Sequence, residues 1–162
     1  LKILILIRHA KSSQGDGTIN DFERPLNERG KNDAPVMARR LIARGIKVDM
    51  LISSPAKRAA KTAKLFAKEL EIENEKIVFK TELYLASVDI FYDVIEKANN
   101  NAGCIAVFSH NPSVTDFAND LTEVHVDNIP TCGIFAIKAD TGNWADFGMA
   151  KKKFLFFDYP GN

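Results

Sequence analysis

Hydrophobic and polar positions along the chain fall into two alternating kinds of segment. Short continuous apolar runs, "ILILI" at 3–7, "VDMLISSP" at 48–55, "KIVFK" at 76–80 and "CIAVFSH" at 104–110, have the pattern of strands covered on both faces. That is the usual condition of parallel strands flanked by helices. Between them lie segments with helical spacing. Asn27 can cap a helix whose apolar positions Ala34, Met37, Ala38, Leu41 and Ile42 carry it to a stop near Gly45, with Pro35 either kinking it or marking its first turn. Ser54 as cap and Pro55 at the first helical position predict a second helix through Ala59, Ala63, Phe66, Ala67 and Leu70. Ser87 caps a third, carrying Phe91, Val94, Ile95 and Ala98, and Asn111 with Pro112 starts a fourth.

After Pro130 the pattern changes. "CGIFAIKA", a turn at "DTGN", the stretch from Trp144 to Phe147 and a final "KFLFF" predict closing strands joined by hairpins. Alternation of strand and helix over most of the length predicts an α/β fold: a three-layer α/β/α sandwich with a mostly parallel central sheet and antiparallel closing strands. A polar loop rich in Gly, Asp and Ser from Ser12 to about Arg24 is the longest irregular stretch, and there are no repeats or linkers. The 162 residues, 46% of them hydrophobic, suit one domain over 1–162 with a sizeable core.

Charge and cysteine usage narrow the function classes. Lys and Arg number 22 against 21 Asp and Glu, so no global field draws in nucleic acid or an anionic membrane, and any anion site must be local. Cys104 and Cys132 sit in apolar runs and are too few for a disulfide scaffold, which points to a reducing, cytoplasmic compartment. "ILILI" is far shorter than a membrane span and is read as neither a signal peptide nor an anchor. Lys151, Lys152 and Lys153 precede an aromatic strand and read as a solvated edge that discourages strand pairing.

The chemistry-bearing residues collect where loops leave the carboxyl ends of strands, the place where open α/β sheets bind ligands. Arg8 and His9 end the first strand, Arg58 lies in the first turn of the helix after the second, and His110 ends the fourth. A cation in the first turn of a helix opposes the macrodipole, and a bound anion would reverse that penalty. Two arginines, two imidazoles and helix N-termini around one crevice suit a tetrahedral oxyanion such as phosphate. Adjacent residues leave a strand on opposite faces, so a turn beginning at Ala10 is expected to bring Arg8 and His9 to one pocket.

The fragments "LIRHAKSS", "RPLNERGK", "SSPAKRAAKTA", "ELYLAS", "FSHNPSV" and "NIPTCG", in that order and spacing, resemble the histidine phosphatase superfamily, with its phosphoglycerate mutase-like fold. They are most similar to its small SixA-type phosphohistidine phosphatase branch, over about residues 3 to 138. The resemblance implies that His9 attacks phosphorus to form a covalent phosphohistidine, with Arg8, Arg58 and His110 binding the phosphoryl oxygens. A nucleophilic imidazole must be neutral on its attacking nitrogen, so a backbone carbonyl on the other nitrogen is expected to fix the tautomer. Glu82 in "TELYL" stands where many relatives carry an acidic proton donor, and Ala10 replaces the usual glycine after the histidine. Arg24, Ser12 and Ser13 are further candidates for contacting phosphate or substrate, while Lys11 is ambiguous and His125 reads as surface.

Other phosphatase signatures are missing: neither cysteine is followed six residues later by arginine, no P-loop is present, and three histidines without a close His/Asp pair do not call for a metal or other cofactor. The leading expectation is a metal-independent phosphatase acting on phosphohistidine in a protein partner, such as a histidine phosphotransfer domain. A small-molecule phosphomonoesterase on the same machinery, needing Glu82 more, and a non-enzymatic phosphoprotein-binding module are the alternatives.

Overall fold

A computed structural model describes residues 1–15 and 17–162; the part of the polar-loop expectation that falls on Asp16 lies outside the described residues. Six strands form one sheet: β1 (Lys2–Arg8), β2 (Met50–Ser53), β3 (Val78–Phe79), β4 (Cys104–Ser109), β5 (Ile134–Ala139) and β6 (Lys152–Asp158). Their order is β3-β2-β4-β1-β5-β6, with β1 to β4 mutually parallel and β5 and β6 antiparallel. The three-layer sandwich with an antiparallel finish is therefore the observed fold.

Continuous apolar runs are explained by cover on both faces. Leu4 and Leu6 of β1 face one way and pack with α3 (Val88–Glu96) and α4 (Ser113–Leu121), where Phe91 and Phe117 stack with ring centroids 4.8 Å apart. Ile5 and Ile7 face the other way, toward α1 (Glu28–Ala43) and α2 (Lys57–Leu70), with Met37, Leu41 and Phe66 fully buried between. Truncating a buried phenylalanine such as Phe66 to alanine costs about 3–5 kcal/mol, so each layer holds the sheet firmly.

Local chemistry accounts for most boundaries. Asn27 caps α1 by accepting from the Gly30 amide at 2.9 Å, Ser87 caps α3 by accepting from Ile90 N at 3.3 Å, and Gly45 with φ +78° follows the end of α1. Pro35 lies inside α1 rather than at its start.

Three expectations need correction. α2 begins at Lys57, with Ala56 at its cap position and no capping side chain; Ser54, two residues earlier, accepts from the Ala56 amide at 3.2 Å. Only Val78 and Phe79 of "KIVFK" pair with β2. Residues 144–149 form 3-10 turns instead of a strand: Trp144 and Phe147, three apart, both turn inward, and the indole N–H donates to the Ala102 carbonyl at 2.7 Å.

Candidate active site

Strand register places the two histidines. Arg8 of β1 pairs with Ser109 of β4, so His9 and His110 leave neighbouring strands at the same level, with the His9 amide donating to the Ser109 carbonyl at 3.1 Å and ring centroids 5.2 Å apart. Both rings are buried, at 6% and 4% exposure. Beyond them a pocket of about 330 Å³ opens, lined by Arg8, His9, Ser12, Arg24, Arg58 and His110 among others. Residues scattered along a hundred positions do converge, and Arg8 and His9 do reach one pocket.

The backbone after His9 is pinned from two sides. The Ala10 amide donates to Thr62 Oγ1 at 2.9 Å, and Thr62 in turn donates to the Arg58 carbonyl at 2.7 Å, tying the strand end to the first turns of α2. On the other side the Cys132 amide donates to both the Arg8 and His9 carbonyls, from a residue with φ 60°. Ala10 is wholly buried in the core facing α1 and α2, so its methyl group fills packing space.

The imidazoles have defined hydrogen-bond partners. His9 Nδ1 lies 2.8 Å from the Ala10 carbonyl, which can only accept, and Arg58 Nε donates to His9 Nε2 at 3.3 Å. Together they assign the proton to Nδ1 and leave the lone pair on Nε2. Burial, opposed by that backbone bond and reinforced by Arg58 and Arg8, pushes the His9 pKa down to about 4. His110 Nε2 lies 2.8 Å from Ser54 Oγ, which also accepts from the Ala56 amide. That leaves the Ser54 hydroxyl hydrogen free to donate to Nε2, and Nδ1 of His110 is buried with no partner among the described residues. Burial, then His9 and Arg58, push its pKa down to about 3.

Cations complete the pocket. Arg58, 5% exposed, occupies the first turn of a helix that has no acidic residue there. Arg8 donates from Nη1 to the Ile129 carbonyl at 3.0 Å, while its buried Nε has no partner among the described residues. Unpartnered buried donors are rare and suit an incoming acceptor such as a bound oxyanion. Arg24 reaches the pocket, donating to Ser12 Oγ at 3.1 Å and to the Ser13 carbonyl at 2.9 Å. Among the described residues no group of three or more His, Cys, Asp and Glu side chains is arranged to hold a metal ion.

Asp21 and Tyr84 are pocket residues that sequence reasoning missed. Arg58 donates to the Asp21 carbonyl at 2.6 Å and to its carboxylate at 3.0 Å, Arg24 donates to the same carboxylate at 3.0 Å, and the Tyr84 hydroxyl donates to it at 2.5 Å. The Tyr84 bond and the two guanidinium groups hold the Asp21 carboxyl well below the usual range. Arg24 thus makes an ion pair with Asp21 and lines the pocket as well.

Two candidates are not brought in. Glu82 is exposed and lines a separate depression with Met50, Lys80 and Lys97. In its turn Leu83 is the inward side chain, its carbonyl accepting from Ser109 Oγ at 2.8 Å, and the residue that enters the pocket is Tyr84. The Ser13 hydroxyl accepts from Gly15 N at 3.2 Å within its own loop, and only its carbonyl serves the site. Lys11 lines the pocket, whereas His125 is exposed beside Asp127.

The family model for the histidine phosphatase superfamily (branch 1) matches residues 4–83. An uncharacterized protein of Mycobacterium tuberculosis strain H37Rv is 28% identical over 164 residues, which span 95% of this chain and 99% of the relative. A crystal structure assigned as the phosphohistidine phosphatase SixA from Agrobacterium tumefaciens has a TM-score of 0.82 at 23% identity, covering 99% of each chain. The protein histidine phosphatase SixA complexed with tungstate has a TM-score of 0.81 at 20% identity, over 98% of this chain and 97% of that one. With its Arg-His strand end inside the family match and the SixA fold recovered along its length, the chain belongs to the histidine phosphatase superfamily and is a phosphatase.

Proposed function

We propose that the protein hydrolyses phosphohistidine on a protein partner, such as a histidine phosphotransfer domain, through a covalent intermediate on His9. The observation that carries this reading is the state of His9: a buried imidazole, protonated on Nδ1 by the Ala10 contact, with its Nε2 lone pair beside the Arg58 guanidinium. The lone pair attacks phosphorus as the P–N bond of the substrate breaks, and the departing imidazole leaves with that bonding pair and takes up a proton. Water then attacks the phosphoryl group on His9, releasing inorganic phosphate and restoring the neutral ring. Positioning and electrostatic stabilisation supply most of the rate in such transfers.

Arg8 Nε and His110 Nδ1, both buried without partners among the described residues, serve as donors to the phosphoryl oxygens alongside Arg58 and Arg24. The tungstate of the related SixA structure is a tetrahedral oxyanion of the same kind. Two features favour a macromolecular substrate. Gln14, Asp21 and Leu85 at the rim are exposed, so the pocket opens directly on the surface. An imidazole is also a better leaving group than an alkoxide, which suits a site that Glu82 does not enter.

Phosphate release from a phosphohistidine protein, a phosphotyrosine peptide and a panel of sugar phosphates, measured for wild type and His9→Ala, tests the reading. Preferential release from phosphohistidine, abolished by the substitution, is expected. Release from sugar phosphates alone would reassign the same machinery to small metabolites, and tight phosphoprotein binding with no turnover would make the chain a binding module.

A further inference from the structure

We propose that the exposed lysine face of α2, with the apolar groove beside it, docks an acidic segment of the phosphoprotein substrate; this rests on the phosphohistidine reading above. Lys57, Lys61, Lys64 and Lys68 recur at spacings of four, three and four residues and therefore share one face of the helix. All four are exposed, and none makes an ion pair among the described residues. The one acid of that helix, Glu69, is taken by Arg39 at 3.0 Å. Like charges one turn apart repel, and Lys57 also faces the positive end of the helix dipole. A chain with a formal net charge of only +1 thus concentrates uncompensated positive charge on one surface.

The stripe borders a groove between α2 and residues 22–26. Phe22, Pro25 and Leu26 give the groove an apolar lining, Lys31 adds another amine, and Glu23 is its single acid. The groove adjoins the catalytic pocket: Phe22 follows Asp21, which pairs with Arg58, and its ring meets Tyr84 edge-on at 5.0 Å. Next to Tyr84, Leu85 stands 82% exposed on the rim. A polypeptide with an apolar side chain between Asp or Glu residues satisfies both the lining and the lysines while presenting its phosphohistidine to His9. Nucleic acid would meet the lysines and leave the apolar lining uncovered.

The test uses two synthetic peptides of equal length, each with one phosphohistidine, one flanked by Glu and Leu and the other with Gln replacing each Glu. Wild type, K61E/K64E and K61Q/K64Q are compared, with circular dichroism and p-nitrophenyl phosphate turnover expected to be unchanged by the substitutions. Wild type is expected to favour the Glu peptide about tenfold in kcat/KM at low salt, through KM, and both variants to lose that preference. Equal kcat/KM for the two peptides in wild type would overturn the docking surface and leave the phosphohistidine reading standing. If neither peptide is hydrolysed, that reading fails, and fluorescence anisotropy of the labelled, unphosphorylated Glu peptide decides the surface. Tighter binding to wild type than to K61E/K64E supports it, and equal binding overturns it. Lysine-dependent binding of a labelled single-stranded oligonucleotide with no preference for the Glu peptide would also overturn it, in favour of nucleic acid.

Discussion

Arg58 Nε and His9 Nε2 are hydrogen-bonded at 3.3 Å, with the guanidinium as donor. Arginine stays charged and has no acceptor, so the contact requires a lone pair on Nε2 and hence a proton on Nδ1. The Ala10 carbonyl, 2.8 Å from Nδ1, holds that proton. Arg58 and the Ala10 carbonyl together fix the Nδ1–H tautomer, and Arg58 also places positive charge beside Nε2.

Replacing Arg58 should separate those contributions. Arg58→Ala is expected to lower kcat about 10²–10³-fold, the size typical of losing one preorganised donor to a transition-state oxyanion. Arg58→Lys keeps a charge but not the fork that reaches His9 Nε2 and Asp21 at once, so it should recover little of the rate. Steady-state kinetics with near wild-type turnover in Arg58→Lys would show that charge alone suffices.

The histidines predict the acid side of the pH profile. With His9 pushed down to about 4, its lone pair stays available well below the ordinary imidazole range, so kcat/KM should be flat from neutrality to about pH 5 and fall as pH drops through about 4. An acid limb centred near the ordinary imidazole value in a kcat/KM profile would contradict this.

Stability should follow the same groups in a different window. Unfolded histidine takes up a proton near pH 6.5, whereas folded His9 and His110 resist protonation down to about 4 and about 3. The unfolded state then binds more protons between these limits, so stability falls as pH drops from about 6.5 toward 4. Tm measured at pH 7 and pH 5 should decline, with a shallower decline in His110→Asn.

Gly30 tests the packing behind His9. It lies in the first turn of α1, and a Cβ there would come within 2.1 Å of the Lys11 carbonyl oxygen and 2.9 Å of the Lys11 amide nitrogen. Helix propensity alone would make Gly30→Ala stabilising by up to about 1 kcal/mol. The backbone clash should reverse that sign, destabilising by about 1–3 kcal/mol, and slow turnover by displacing the chain just after His9. A raised Tm with unchanged kinetics would mean that the Lys11 loop yields without consequence.

Glu82→Gln should leave phosphohistidine turnover within about twofold of wild type, as expected of an exposed surface substitution away from the site. A tenfold loss would mean that the turn at 81–83 rearranges during catalysis.

How legible the site was depends on how each residue is held. Arg8, His9 and His110 could be placed because an apolar run must end, and the residue after a buried parallel strand faces the ligand side of the sheet. Arg58 could be placed because a helix start leaves few positions. Asp21 and Tyr84 come from irregular segments, where neither periodicity nor capping fixes direction, and only the three-dimensional meeting of Asp21 with Arg58, Arg24 and Tyr84 identifies them. Ser54 was legible as a helix-start hydroxyl but not as the partner of His110, since local sequence cannot say which competing hydrogen bond a serine makes. Glu82 misled for the opposite reason: a motif position specifies a neighbourhood, and one residue's difference along a tight turn sends a side chain to another face.

The register between β1 and β4 means that the two histidines cannot be adjusted separately, because both are continuations of the paired central strands. Slipping either strand by one residue would turn its buried side chains to the other layer, so that change is closed to gradual variation. The outer face of α2 carries no such constraint. The histidine pair and the lysines of that face are thus inherited on different parts of the chain, and a lineage could exchange the second many times while keeping the first intact.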